Sequence, residues 1–412
     1  MTWTTSKNLA QPEGTFNIGL VPRKVKGEST WADLIEPMDY VEIRASATGQ
    51  KTNGKLPIIM RGFVDSVGEG FAIGATGGPS EPRITIAGRD YSKLLIVWQI
   101  LYLWTQNSTA NMAAYQSGFG LFYNYGLQLV AAPLQQFFTN IFHKMVDPIT
   151  SGIQQNWMSI PNFRADIELP DYEMSLTPVM SYTGSFFNLF SYFSSPPFGE
   201  CFVWDDDTSP VLTTRVTPYH SYDGLTPTPG KEIKPSYDLT QIQSYNLSRT
   251  DSDLFTYYLT WGDSTQQTQL TMPVFVTAGL NGISTSNQSL FGTRPLIVDS
   301  AWVNPFNGSD TTAQNQNAVS VANDLNTWLL AVMQDNQRFK SGNMSVHGNE
   351  KYRIGTYANF KQKNEEYYVT SVQHTYTQFQ RWDTKLYLTR GRSLGASSNN
   401  NSSFKHGFRA TP

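Results

Sequence analysis

The stretch Gly49-Gln50-Lys51-Thr52-Asn53-Gly54-Lys55 carries the glycine and lysine spacing of a phosphate loop, whose amides and ammonium would cradle a nucleotide. Leu56-Pro57 follows, so the magnesium-ligating hydroxyl is missing. Pro57 and the strand-like Ile58-Ile59 also deny it the helix whose N-terminus would face the phosphates, so a hairpin turn is expected. Asp205-Asp206-Asp207 offers hard oxygen ligands for a cation but lacks the calcium-loop spacing and central glycine. A solvated turn between two strands is the expected reading. His143, His220, His347, His374 and His406 are scattered, with no metal-ligand or nucleophile-base spacing among them. His374 lies mid-strand and is expected to be structural. Cys201, the sole cysteine, opens a strand beside Phe202 and Val203, where a buried inert thiol is expected and no intrachain disulfide can form. Glycoside hydrolysis needs a spatial carboxylate pair, which sequence spacing does not supply. The expectation is therefore no catalytic residue, no cofactor and no metal site.

Composition narrows the class further. Thirty basic against thirty-three acidic residues give a net charge of -3, which disfavours a dedicated nucleic-acid binder. Only 15% of residues are charged and 13% are aromatic, and the loops are rich in Asn, Gln, Ser and Thr, a balance associated with β-rich assembly proteins. The most apolar stretch, Leu94 to Trp104, includes Gln99 and falls short of the ~20 apolar residues of a membrane span. Met1 to Gln11 is polar and lacks the pattern of a secretory signal, so assembly in a reducing cytoplasm is expected.

The elements that would position any site are mostly strands. Phe16 to Val21, Tyr40 to Ala45, Ile58 to Val67 and Arg83 to Ala87 are rich in β-branched and aromatic residues between Gly, Pro, Asn and Ser clusters. They predict a small antiparallel barrel or sandwich, with a helical turn after the Ser29-Thr30 cap plugging one end. From Leu94 to Thr150 apolar residues recur at helical spacing, and an irregular Phe- and Pro-rich stretch, Trp157 to Gly199, follows. So much apolar surface needs cover, from another domain or subunit or from a core within the insertion itself. Strands resume at Cys201 to Trp204, Val211 to Thr217, Ile242 to Leu247 and Phe255 to Gly262, with connectors at Thr226 to Ser236 and Gly279 to Asn287. Ala318, Val321, Ala322, Leu325, Leu329, Val332 and Met333 form one stripe of a helix over 318–337, stopping before Gly342. Alternation at Tyr368 to Tyr376 and Trp382 to Leu388 predicts a long antiparallel hairpin.

Three sets of strings resemble the baseplate hub family of tailed phages and contractile injection systems. They are Met60-Arg61-Gly62-Phe63-Val64-Asp65-Ser66-Val67 with Ile84 to Leu95; Thr214 to Tyr219 with Tyr245 to Asp253; and Asp324 to Leu330, Tyr352-Arg353-Ile354-Gly355, Glu366 to His374 and Trp382 to Gly391. They cover the two ends and the middle, and 98–199 matches nothing nameable. The resemblance implies an α+β, mainly β chain with two tail-tube-like antiparallel β-barrel domains and a helical, aromatic-rich insertion. The expected divisions are a first barrel at 1–95, the insertion at 96–200, a β-rich middle section at 201–265 completing or linking the barrels, a second barrel at 266–395 and a flexible tail at 396–412. It further implies a homotrimer forming a pseudo-six-fold ring in the virion tail baseplate. Its partners would be the tail tube protein, the central spike protein, the tape-measure protein and baseplate wedge proteins, with DNA passing through the lumen without specific binding. Leu94, Trp98, Leu101, Trp104, Phe119, Phe122, Phe137 and Phe138 are the interface candidates. Two alternatives stay open, a cell-wall-degrading tail-tip enzyme and a carbohydrate-binding adhesion module. The first lacks a nucleophile elbow or metal motif, and the second would usually bring internal repeats, of which none is found.

Overall fold

The computed structural model describes residues 1–25, 27, 29–51, 53–72, 81–100, 132–156, 159–174, 184–227, 236–262, 283–303 and 311–394. Fifteen strands of four or more residues are used below. They are β1 (Thr2–Asn8), β2 (Thr15–Leu20), β3 (Tyr40–Arg44), β4 (Ile58–Ala72), β5 (Glu81–Asp90), β6 (Arg164–Glu168), β7 (Gly199–Asp205), β8 (Pro210–Val216), β9 (Ile242–Ser248), β10 (Tyr257–Gly262), β11 (Pro295–Ser300), β12 (Lys340–His347), β13 (Tyr357–Phe360), β14 (Glu365–Thr377) and β15 (Arg381–Ser393). The helices are α1 (Trp31–Leu34), α2 (Ser92–Val97), α3 (Leu134–Ile141), α4 (Asp147–Asn156), α5 (Phe186–Ser194), α6 (Thr285–Phe291) and α7 (Thr311–Met333). A π-helical turn, Phe142–Val146, joins α3 to α4.

The chain is α+β and mainly antiparallel sheet. One large sheet runs in the order β9-β12-β15-β14-β1-β2-β5-β4-β3, with β13 also paired to β14. The N-terminal and C-terminal strands are thus one sheet, joined where Thr2 to Asn8 pairs antiparallel with Ser371 to Thr377. Sequence reading noted Met1 to Gln11 only as polar and without a secretory signal, and missed β1. Its alternation is there, with Trp3 and Thr5 buried, but Thr, Ser, Lys and Asn hide it from a hydrophobicity scan. The described strands of 201–262 are divided among several sheets: β7 and β8 form a three-stranded sheet with β6, Tyr237–Asp238 pairs with β13, β9 takes the edge of the large sheet, and β10 pairs in parallel with β11.

Two cores lie under the large sheet. Trp3, Phe16, Met60, Val64, Ile84 and Ile86 fill the N-terminal one, with Trp31 and Ile35 beside α1 packed against it. Met344, Val346, Tyr367, Val369, Leu386 and Leu388 fill the C-terminal one. The third and largest core belongs to the helices. Phe186, Phe187, Phe190 and Phe193 of α5 meet Phe137, Phe138 and Ile141 of α3, Trp302, and the α7 stripe of Ala318, Val321, Ala322, Leu325, Trp328, Leu329 and Val332. The phenylalanines of α3 and α5 are therefore covered within the chain, because three helices and a sheet supply the apolar faces that sequence reading assigned in part to a neighbour, while Tyr192 stays exposed. α7 ends at Met333, not 337, and Gly342 is no helix stop. It sits in β12 at φ +155°, where a Cβ would lie 2.0 Å from the Asn246 carbonyl of β9.

Candidate functional site

The phosphate-loop spacing falls in the β3–β4 hairpin connection, with Gly49, Asn53 and Gly54 at positive φ. Left-handed residues there close a turn, and β4 follows in place of a helix. The acidic triplet divides its work. Asp206 caps the β7–β8 turn, accepting from the Thr208 amide at 2.7 Å and hydroxyl at 2.8 Å. Partial burial opposes its ionisation, but the Ser209 and Thr208 donors and Arg164 together hold its carboxyl below the usual range. Asp205 is not solvated as expected: its side chain is 3% exposed and accepts from Lys7 Nζ at 2.9 Å. Lys7 also lies 3.2 Å from the buried Asp90. Arg61, equally buried, donates to the Asp206 carbonyl at 2.8 Å and the Asp207 carbonyl at 3.0 Å, and its Nε lies 3.6 Å from Glu42. Burial opposes the Lys7 charge, yet its two carboxylate neighbours keep it protonated above the ordinary lysine range. This junction ties β1, β4 and β5 of the large sheet to β7 of the small one. It orders segments and presents no free ligand set. Among the described residues no cluster of three His, Cys, Asp or Glu is placed to hold a metal ion.

Among the described residues the histidines do not converge on a nucleophile. His374 is buried in β14 with Nδ1 2.8 Å from the Thr384 hydroxyl. Burial pushes its imidazole down to about 3 from 6.5. The unfolded chain therefore takes up a proton below pH 6.5 that the folded chain refuses until about pH 3. Stability from this residue is complete above that window and lost as pH falls through it, at about 1.4 kcal/mol per pH unit. The expected result is that His374→Gln flattens the slope of urea stability between pH 6.5 and 5 by that amount; parallel slopes would refute it. Cys201 is buried and its thiol pushed up to about 12 by desolvation, which makes it inert as expected.

A cleft of about 890 Å³ opens between the small sheet and the loop before β13. Phe202, Trp204, Tyr237 and Tyr352 line it, with Arg215 over the Phe202 ring at 5.3 Å and Arg353 over Trp204 at 4.9 Å. Its charged groups are largely engaged: Arg215 with Glu200, Glu350 with the Ala47 amide, Asp238 with Lys361.

The interface candidates are distributed differently from the expectation. Leu94, Phe137 and Phe138 are each 1% exposed in the helical core, and Trp98 is partly buried against it. Leu94, Phe137 and Phe138 are thus covered by their own chain, and Trp98 in part. Leu101, Trp104, Phe119 and Phe122 lie outside the described residues. The large sheet leaves both of its edges open among the described residues. Its two edges differ: among the described residues β3 pairs only with β4, and β9 only with β12. Its outer face, read through the antiparallel register, carries Asn246 beside Asn343, Ser244 beside Ser345, Thr4 between Asn17 and Thr375, and Ser6 between Thr15 and Gln373. A shallow depression of about 390 Å³ marks its middle.

The chain has structural counterparts among tail proteins. It aligns with the tail protein from Neisseria meningitidis MC58 at 11% identity and TM-score 0.45, covering 94% of this chain and 91% of that one. The 43 kDa tail protein of prophage MuSo2 from Shewanella oneidensis aligns at 13% identity and TM-score 0.48, covering 95% and 93%. An Escherichia coli component of the type VI secretion system, described as structurally similar to the T4 bacteriophage tail proteins gp27 and gp5, aligns at 8% identity and TM-score 0.43, covering 94% and 72%. No family model matches the chain. No curated protein matches it either.

Proposed function

We propose that this chain is the structural hub of a phage-type tail baseplate or a related contractile injection machine. Three copies form a ring that joins the tail tube to the central spike and leaves a channel for cargo. The observation that carries the ring is the large sheet with two unlike open edges, β3 and β9. An unpaired edge invites another strand, and contact between two different edges is heterologous, so it propagates from copy to copy until the rotation closes. The ordered strings at Gly88 to Leu95 and Tyr367 to Gly391, which resemble the hub family, support the same reading. The hydroxyl- and amide-bearing outer face suits a channel wall. Thr4, Asn17, Asn343 and Ser345 are interspersed there with Arg89, opposite Thr15, and Lys385, opposite Gln373 and Ser345. Arg89 is paired with Asp65 and Glu13, so the face offers a passing polyanion few free cations. On this reading the work is mechanical: the ring anchors the spike and templates the tube.

Mass photometry of the purified chain is expected to find a species three times the 46.3 kDa chain mass, and electron microscopy a central channel. A stable monomer at micromolar concentration, or robust turnover of peptidoglycan, would overturn the proposal.

A further inference from the structure

The most exposed large hydrophobic residue described is Phe379, at 96%, against 69% for the next, Val21. It stands at the tip of the β14–β15 hairpin between Gln378 and Gln380, which are also exposed. The turn is closed by the Gln380 amide donating to the Thr377 carbonyl at 3.1 Å, which makes Phe379 its third residue, and its φ is +63°. A turn with positive φ at that position is a place for Gly or Asn, because a larger side chain on a left-handed residue crowds its own backbone. Folding alone explains neither the strain nor the exposure. A benzyl group is held in water, on a backbone that disfavours it.

The support beneath it is rigid. Trp3 stacks on Tyr376 at 5.5 Å and meets Trp382 edge-on at 6.0 Å. Strained, exposed aromatic groups on firm supports are the residues that bury themselves in partner pockets, and strain at a special backbone position points to function in that direction.

The topology says where such a partner lies. In the sheet order β14 and β1 are central, far from the open edges β3 and β9. If those edges close the ring, strand ends face along the ring axis, and a hairpin tip in the middle of the sheet meets what stacks on the ring, not the neighbour beside it. We infer that Phe379 is an anchor that inserts into an apolar socket on the protein stacked against this end of the hub. The socket is sized for a benzyl group, and its rim is polar to match Gln378, Gln380 and the exposed Arg381 beside them. The axial direction rests on the proposed ring; the anchor itself rests on the turn.

Two experiments test it. Phe379→Gly and Phe379→Asn remove the ring while suiting the left-handed turn. The expected result is an unchanged or raised melting temperature, an unchanged oligomer by mass photometry, and at least tenfold fewer complete particles. Wild-type particle yield, or a lowered melting temperature, overturns the anchor. In the second, p-benzoylphenylalanine replaces Phe379 in assembled particles and its crosslink is mapped by mass spectrometry. A crosslink to a different protein of the particle is expected. A crosslink to another copy of this chain, or none, overturns it. Mass photometry of the same samples reads the ring separately, so a failed ring and a failed anchor give different results.

Discussion

Asp205→Ala is expected to cost about 3 to 5 kcal/mol of stability, read as a lowered urea midpoint, because it leaves two buried cations short of a partner. Lys7 would keep Asp90, at 3.2 Å, and the Val203 carbonyl, at 3.3 Å; Arg61, whose guanidinium lies 3.8 Å from Asp205, would keep Glu42 and the two turn carbonyls. A buried ammonium cannot recover its hydration, and removing one member of such a pair is worse than removing both. Lys7→Met combined with Asp205→Leu should therefore lose less than the sum of the single changes. The cycle gives the coupling directly, and strict additivity would show that the junction is not a unit. The damage should reach beyond local packing. Asp205 ends β7 and Lys7 lies in β1, so the break separates the small sheet from the strand that joins the two halves of the large one.

The second large effect is expected at Arg390. Its guanidinium is buried between the Tyr219 ring at 4.5 Å and the Phe339 ring at 4.1 Å. It donates to the His220 carbonyl at 2.9 Å, to Asn336 Oδ1 at 3.2 Å and to the Val332 carbonyl in the last turn of α7. A cation there satisfies an orphan carbonyl and faces the negative end of the helix. Arg390→Met should cost about 3 kcal/mol, from charged hydrogen bonds lost and carbonyls left unpaired. Arg390→Lys should rescue little. A lysine ammonium has neither the flat face that lies between two rings nor the fork that reaches three acceptors. Full recovery by Lys would mean that charge alone matters at this position.

Both residues show where sequence reading stops. The Asp205 run looked like a solvated turn, since Asp favours turns and nothing local announces a lysine 198 positions away. Arg390 lies two residues past the Trp382 to Leu388 alternation, within a string that resembled the hub family but with no role attached to it. Its left-handed φ of +55° and its three acceptors arise from a helix and a loop that pack on that strand. Phe379 was equally silent, because exposure and turn geometry are properties of the folded hairpin. His374 and Cys201, by contrast, were legible. Each sits within a short run of strand-forming residues, and a mid-strand residue on the inner face is buried by the alternation itself.

Local periodicity therefore determined the elements of this protein. Alternation marked β2, β3, β4, β5, β7, β8 and the β14–β15 hairpin, and the 3.6-residue stripe marked α7. The low charge and the failed phosphate-loop and metal spacings pointed away from a catalytic or nucleotide site. Only the tertiary structure decided which strands pair. The joining of Thr2–Asn8 to β14 brings the Lys7 carbonyl to the Ser371 hydroxyl across 364 positions, a contact no local pattern encodes. It likewise decided that Phe137, Phe138 and the α5 phenylalanines are covered within the chain, and that four buried charges from β1, β4, β5 and β7 compensate one another. The reason is physical. Period 2 and period 3.6 are written residue by residue, whereas long-range pairing is chosen by which distant surfaces, once together, leave the least apolar area and the fewest buried charges unmatched.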